Sequence, residues 1–286
     1  MRWQLGRRSD NVEDRRGSSA GGRVAVGGGI GTVLLVIAAL FLGVDPSIIF
    51  EQSVPSEQSS SPDSSVTSGS PEEEELVDFV SVVLGYTEDT WDEIFRERGE
   101  TYVEPKLVLF TDAVESACGY AQAATGPFYC PRDQNVYIDL GFYKQLKYNL
   151  NAPGDFAQAY VIAHEVGHHV QTLLGISQQV NNLQRQVNRV EANELSVRQE
   201  LQADCFAGVW ANRTQKAEQI LEQGDIEEGI NAASSIGDDR LQRQAQGYVV
   251  PDSFTHGTSA QRVRWFKQGL QTGNIDECNT FATESL

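Results

Sequence analysis

Two histidines and a glutamate lie within five residues of this chain, in the order His164-Glu165-Val166-Gly167-His168. Side chains four residues apart share one face of a helix, so both imidazoles can reach a single metal ion. Glu165 lies to the side of that face, where its carboxylate can take a proton without binding the metal. The pattern predicts a catalytic zinc ion, which keeps an open position for water and lowers the pKa of that water to about 7.

The residues around this motif predict a buried helix. Residues 157–163 contain no proline and no charge, and further apolar residues follow His168. Gly154-Asp155 marks a plausible beginning and Gly175 a plausible end, which gives a helix of about five turns. His169 points to another side of this helix, and we expect it to be a structural residue that satisfies hydrogen bonds in the core.

A zinc site with two histidines needs a third protein ligand. The long metzincin pattern places a glycine and a histidine three and six residues after the second histidine, where this chain has Gln171 and Leu174. That class is excluded. The class with a glutamate ligand takes it from a later helix, for which the chain offers Glu191, Glu194 and Glu200.

Glu200 is the candidate that the pattern favours. Asp204 follows it by four residues, and both open an apolar helical run that extends to Trp210. Two carboxylates on a buried helix are costly unless a metal or a partner compensates them. We therefore expect Glu200 to bind zinc and Asp204 to accept a hydrogen bond from a ligand histidine. Glu191 and Glu194 fit a solvated face better.

His256 stands in a loop before an amphipathic stretch that runs from residue 260 to residue 270. Its imidazole could donate a hydrogen bond to the oxyanion of a tetrahedral intermediate. It could also be a spare zinc ligand or a structural residue, and the oxyanion role is preferred. Arg262 could anchor this loop through a carboxylate or cover the surface with its stem.

These residues resemble the glutamate zincins, and more closely the bacterial neutral zinc metallopeptidase family, the YpfJ-like proteins. The resemblance covers nearly the whole chain apart from a serine-rich segment, and it implies a zincin-like fold, one zinc ion per chain and peptide hydrolysis. It rests on these stretches: Met1-Arg2-Trp3, Arg15-Arg16-Gly17, Cys118-Gly119, Gly126-Pro127-Phe128-Tyr129-Cys130-Pro131, Val136-Tyr137-Ile138-Asp139, residues 163–171, residues 200–205 and Phe254-Thr255-His256-Gly257-Thr258.

The N-terminal part of the chain predicts a membrane anchor. Residues 24–44 are uncharged and mostly apolar, which is long enough to span a bilayer. Six arginines against three acidic residues precede this run. The positive-inside rule then predicts a cytoplasmic tail at residues 1–23, one transmembrane helix and an extracytoplasmic remainder. A cleaved signal peptide is the competing interpretation, but the run is long for one.

Residues 45–70 are rich in serine and contain three prolines, which predicts a disordered linker. Residues 71–286 form the predicted catalytic domain, an α+β unit that is mainly helical with a small sheet. Four consecutive glutamates from Glu72 predict a helix N-terminus, and residues 106–111 predict a core strand. Residues 136–140 alternate in polarity and predict a half-buried edge strand, which could bind an extended peptide. Residues 178–197 predict an exposed helix with a break.

The four cysteines favour an oxidising compartment. Pairs Cys118–Cys130 and Cys205–Cys278 would close one loop and tie the C-terminus to the core, although the sequence allows three pairings. A cysteine zinc site is the alternative, but the chain has no Cys-x-x-Cys. The net charge of −18 makes nucleic acid and anionic membrane surfaces poor partners for the catalytic domain.

Together these features predict a membrane-anchored zinc metallopeptidase that acts on polypeptides outside the cytoplasm. Glu165 would be the general base and then the proton donor to the leaving amine. Two alternatives remain open from the sequence. One is a zinc-binding scaffold of the cell envelope without turnover, and the other is a zinc amidase that acts on cell-wall material.

Overall fold

The structure is a computed structural model that describes residues 1–17, 70–283 and 285–286. As predicted, it is mainly helical α+β with a small sheet. The described helices are α1 (Pro71–Glu97), α2 (Gly141–Tyr148), α3 (Asp155–Leu173), α4 (Ile176–Gln184), α5 (Arg189–Glu218), α6 (Asp225–Ser235), α7 (Asp238–Gln246) and α8 (Ser259–Thr272). The strands are β1 (Val12–Asp14), β2 (Lys106–Phe110), β3 (Ala113–Ser116), β4 (Gly119–Gln122), β5 (Phe128–Cys130) and β6 (Asn135–Asp139).

Four strands form the main sheet, in the order β1-β2-β6-β5. The first three run parallel and β5 is antiparallel to β6, while β3 and β4 form a separate hairpin. The core strand predicted over residues 106–111 is confirmed as β2. The predicted edge strand over residues 136–140 is wrong, because β6 lies between β2 and β5 and is almost fully buried.

Asp139 explains why the alternating pattern in β6 misled the prediction. Its carboxylate is 6 % exposed and accepts hydrogen bonds from the backbone N–H groups of Asp112 (2.9 Å) and Gly141 (2.6 Å). Tyr137 is buried as well, because its ring stacks on Phe128 at 4.8 Å between ring centroids. The polar residues of the alternating pattern, Tyr137 and Asp139, are therefore buried against nearby partners and do not face solvent.

Helix α3 carries the histidine motif through the core. It begins after Gly154 and ends before Gly175, both of which have positive φ, as the sequence predicts for the two boundaries. Burial explains its apolar sequence, since almost every residue from Phe156 to Gly167 lies below the surface. A helix that is apolar on all sides is expected only where neighbours cover every face.

Helix α5 follows the predicted break and packs against α3. A capping box between Asn188 and Glu191 starts it, with hydrogen bonds in both directions. Its second half is buried and packs on α8 with backbone contact at two glycines. A Cβ on Gly208 would lie 2.1 Å from the Phe266 carbonyl oxygen, and one on Gly269 would lie 1.9 Å from the Cys205 carbonyl oxygen.

Residues 1–17 pack into the same body as residues 70–283. Strand β1 pairs with β2, and the Trp3 ring packs edge-on against Phe79 at 5.5 Å between centroids. The amino group of Met1 lies 2.7 Å from the Asp155 carboxylate at the start of α3. The described residues 1–17 thus complete a sheet of the domain assigned to residues 71–286, whereas the sequence predicts a separate cytoplasmic tail over residues 1–23.

The predicted anchor over residues 24–44 and the predicted linker over residues 45–70 lie outside the described residues, apart from Ser70. Ser70 caps α1 through a capping box with Glu73, so the glutamate run begins this helix as predicted. None of the helices that the structure describes is long and apolar enough to cross a membrane.

Two disulfide bonds join the pairs that close the predicted loops. Cys118–Cys130 links the β3–β4 hairpin to β5, and Cys205–Cys278 links α5 to a short 3-10 helix at Ile275–Cys278. Of the three possible pairings, this is the one in the structure.

Candidate metal centre

Helix α3 places His164 and His168 one turn apart on the same face. Their ring centroids are 4.9 Å apart and their planes are nearly perpendicular, at 87°. His164 is buried and the His168 side chain is 16 % exposed, so the pair lies at the border between core and surface. Glu165, the next residue after His164, is 8 % exposed.

Helix α5 brings Glu200 to both imidazoles. One carboxylate oxygen lies 3.2 Å from His164 Nε2, and the other lies 3.4 Å from His168 Nε2. One ligand atom from each of the three side chains lies within 4.8 Å of the others. Glu191 and Glu194, the rejected alternatives, lie on the exposed first part of α5.

Asp204 lies one turn further along α5, next to the other nitrogen of His164. Its carboxylate is 2.9 Å from His164 Nδ1 and is fully buried. Arg262 from α8 binds the same carboxylate through Nε (2.8 Å) and Nη2 (2.9 Å), and the Tyr160 hydroxyl donates to it. Arg262 is 1 % exposed, so it anchors the centre through a carboxylate rather than covering the surface.

The electrostatics of the centre follow from this arrangement. Burial alone disfavours a charged imidazole, but Asp204 and Glu200 outweigh burial and raise the pKa of His164 to about 9. Burial disfavours the Glu200 carboxylate too, yet His168 and His256 hold the pKa of Glu200 well below its usual range. The ionised Glu200 and Asp204 carboxylates therefore favour positive charge on the imidazoles, and a bound metal cation would take the place of those protons.

A zinc ion fits this donor set. His164 Nδ1 faces an acceptor in Asp204 and His168 Nδ1 faces one in Gln171 at 2.9 Å, so Nε2 of each ring is the atom that would bind a metal after its proton has left. Two imidazole nitrogens and one carboxylate are the ligands of the His₂Glu class of catalytic zinc sites.

His256 approaches the centre from the loop before α8. It and Glu200 are close enough for each to shift the pKa of the other. Its Nδ1 lies 3.2 Å from the Asp238 carboxylate, and the side chain is 49 % exposed. Burial lowers and Glu200 and Asp238 raise the pKa of His256, with a net increase that favours the imidazolium.

Asp238, the first residue of α7, organises this loop and was not among the predicted residues. Its buried carboxylate accepts hydrogen bonds from the backbone N–H groups of Thr255 (2.8 Å), His256 (2.6 Å) and Gly257 (3.0 Å). Nothing in the local sequence around Gly237-Asp238 points to His256, which comes 18 residues later. Tyr160, also missed, lies one helical turn before His164, and that spacing could have revealed it.

His169 lies on a different side of α3 and takes no part in the centre. Its Nε2 donates to the Val103 carbonyl oxygen at 2.6 Å, and its Nδ1 lies 3.1 Å from the Tyr129 hydroxyl. Burial lowers the pKa of His169, which keeps the ring neutral in the core. This placement matches the structural role expected for it.

The comparisons with known proteins agree with the geometry. The family model described as "Putative neutral zinc metallopeptidase" matches residues 1–281, and the chain belongs to this family. "Uncharacterized protein YpfJ" of Escherichia coli K12 is 53% identical over 289 residues, which cover 98% of this chain and 99% of that protein. "Uncharacterized protein Rv2575" of Mycobacterium tuberculosis H37Rv is 38% identical over 218 residues, 73% of each chain. No solved structure matches this chain.

Proposed function

We propose that this protein is a zinc-dependent metallopeptidase that hydrolyses peptide bonds in polypeptides. One observation carries the proposal: His164, His168 and Glu200 converge on one point, while Glu165 lies at the adjacent position of the same helix. A site that serves only to hold a structural ion has no need for a further carboxylate beside it. A catalytic centre needs such a group as a base.

Each residue has a distinct role in this proposal. His164, His168 and Glu200 would hold a zinc ion, which when bound would supply Lewis-acid activation of the scissile carbonyl and of a water molecule. Glu165 accepts the proton of the attacking water and later gives it to the leaving amine. His256, protonated beside Asp238, donates a hydrogen bond to the oxyanion. Asp204 fixes His164 with its Nδ1 proton, so that Nε2 faces the metal.

An extended peptide would bind along β5 and not along β6, which is an internal strand. Strand β5 is the last strand of the sheet among the described residues, and Tyr129 on it contacts His169, the neighbour of a proposed ligand. Strand addition along the outer edge of β5 would align a polypeptide with α3. The net charge of −18 favours substrates that are basic.

The two disulfides support an extracytoplasmic location, because disulfides persist in oxidising compartments. Attachment to the membrane through residues 24–44 stays a prediction.

Replacement of Glu165 by Gln tests the peptidase. We expect full-length Glu165→Gln to bind one zinc ion per chain and to lose cleavage of an unfolded protein such as casein. Glu194→Gln, an exposed glutamate on α5, serves as the control and keeps both zinc and cleavage. Cleavage by Glu165→Gln at the wild-type rate would overturn the assignment. Zinc binding without cleavage by wild type would favour the scaffold instead.

A further inference from the structure

A chain of buried amide side chains runs from His168 away from the proposed zinc. His168 Nδ1 lies 2.9 Å from Gln171 Oε1, and Gln171 Nε2 lies 3.0 Å from Gln202 Oε1. Gln202 Nε2 in turn lies 3.0 Å from the carbonyl oxygen of Cys278. Gln171 is fully buried and Gln202 is 5 % exposed, so water does not compete for these contacts.

The direction of this chain is fixed at its far end. The Cys278 carbonyl can only accept a hydrogen bond, which requires the NH₂ group of Gln202 to face it. A second carbonyl, that of Gln199, accepts from Gln171 Nε2 at 2.7 Å and orients that amide in the same way. Both amide oxygens must then point back toward His168. Nδ1 of His168 therefore faces an acceptor, the Gln171 amide oxygen, and must carry a proton.

This orientation matters for the metal because only the other nitrogen, Nε2, is then free to bind it. A ligand histidine whose second nitrogen is held by an acceptor has its tautomer and ring angle fixed before the metal arrives. For His164, the acceptor that fixes the tautomer is the Asp204 carboxylate. His168 has no carboxylate at its Nδ1 in the described structure, and the amide oxygen of Gln171 is its acceptor instead.

A disulfide holds Cys278, whose carbonyl oxygen ends this series of hydrogen bonds. Cys278 is bonded to Cys205, which lies on α5 three residues after Gln202, and both cysteines are fully buried. The segment after Cys278 is also tied to α5, since Arg198 Nη1 donates to the Thr283 carbonyl at 3.0 Å. The disulfide is the covalent part of this attachment and is therefore the part that reduction can remove.

We propose that Gln171 and Gln202 are positioning residues for His168, and that the Cys205–Cys278 disulfide makes zinc affinity sensitive to reduction. The inference rests on the proposed function to the extent that it takes zinc as the metal of the centre. When the disulfide is reduced, the C-terminal segment can move away from α5. Gln202 then loses its acceptor, and the amides can rotate so that His168 faces a donor.

The test measures zinc affinity by competition with a chromophoric chelator on the full chain. We expect Gln171→Leu and Gln202→Met to bind zinc about 10- to 100-fold more weakly than wild type. Gln242→Met is the matched control, because Gln242 is equally buried at 2 % and hydrogen-bonded, but outside the centre. It keeps wild-type affinity. Equal zinc affinity in all four proteins would overturn the positioning role.

The redox part has its own pair of variants. The double variant Cys205→Ala/Cys278→Ala is expected to bind zinc at least 10-fold more weakly, while Cys118→Ala/Cys130→Ala keeps the wild-type affinity. Treatment of wild type with a phosphine reductant should reproduce the first result, which covers the case of a variant that does not fold. Unchanged affinity after complete reduction of Cys205–Cys278 would overturn this part.

A spectroscopic measurement separates positioning from a general loss of structure. In the zinc-loaded protein, the Nδ1 proton of His168 is expected to give a slowly exchanging imidazole NMR signal, which Gln202→Met broadens or removes. If wild type binds no zinc at all, the proposed function fails. If wild type binds zinc and the signal persists in Gln202→Met, the inference fails and the proposed function stands.

Discussion

At the scale of single residues, the centre is a set of buried charges that neutralise one another. Asp204 is the key member, because it contacts His164, Tyr160 and Arg262 without access to water. A buried carboxylate without such partners would take up a proton. Burial raises its pKa, but Arg262 and His164 outweigh burial and hold the pKa of Asp204 below its usual range. The arginine on α8 thus helps to keep Asp204 ionised.

Removal of Arg262 should therefore destabilise the protein. Arg262→Met leaves the charge of Asp204 buried with fewer partners, and we expect a loss of about 3–5 kcal/mol in the free energy of unfolding. Urea unfolding followed by circular dichroism measures it. Arg264→Met, two residues away and exposed, is the control and should change stability by less than about 0.5 kcal/mol. A similar loss of stability in both variants would show that the buried Arg262–Asp204 ion pair does not stabilise the fold.

His256 is expected to act on the rate and not on the metal. Its side chain is half exposed and its raised pKa favours the imidazolium form, which can donate a hydrogen bond at the edge of the centre. We expect His256→Ala to lower kcat by roughly 100-fold with little change in KM. Asp238→Asn should have a smaller effect in the same direction, because the imidazole remains but loses the carboxylate that orients it.

Zinc content decides between this role and that of a ligand. A fall in bound zinc in His256→Ala would show that His256 belongs to the ligand set, which the sequence left as an alternative. Unchanged kcat in His256→Ala would remove it from the mechanism altogether.

The sequence predicted residues whose relation is local. His164, Glu165 and His168 are linked by helical spacing alone, and Glu200 and Asp204 are linked in the same way on α5. Asp238 and Gln202 could not be predicted, because each acts on a residue that is distant along the chain and has no spacing rule. Gln171 is an intermediate case, since it lies three residues after His168 and on the same face.

At the scale of elements, the centre depends on how closely α5 and α8 approach. Gly208 and Gly269 let the two backbones touch, which brings Arg262 within reach of Asp204. The sequence predicts helices here but contains no signal for their spacing. A glycine inside a helix is a weak sign of close packing, since it is unfavourable for helix formation by about 1 kcal/mol relative to alanine.

The sign of a stability change tests this packing. Helix propensity alone predicts that Gly269→Ala stabilises the protein by about 1 kcal/mol. The structure predicts the opposite, because the new Cβ would lie 1.9 Å from the Cys205 carbonyl oxygen. We expect a net destabilisation of about 1–3 kcal/mol and a parallel loss of zinc affinity. A more stable Gly269→Ala protein would show that the helices are further apart than described.

At the scale of the whole molecule, the N-terminal residues 1–17 contact the beginning of α1. Arg16 lies near the end of this N-terminal segment and Glu74 in the first turn of α1, and their side chains form an ion pair at 3.1 Å. Residues 17 and 70, which border residues 18–69 in the chain, therefore lie close together on the folded body. A single membrane crossing between residues 17 and 70 would place these points on opposite sides. The packed N-terminal segment and the predicted single-pass topology exclude each other in the same molecule.

Chemical labelling distinguishes the two arrangements. Leu5 is fully exposed and Tyr248 is 62 % exposed, so a cysteine at either position can react without disturbing the core. We expect Leu5→Cys and Tyr248→Cys to react with a membrane-impermeant maleimide from the same side of the membrane, because both lie on one folded body. The wild-type chain, whose described cysteines are all in disulfides, is the control and should not react. Reaction of Tyr248→Cys in intact cells, with Leu5→Cys reacting only after lysis, would instead establish the single-pass topology. It would also mean that β1 does not pair with β2 in the membrane-bound protein.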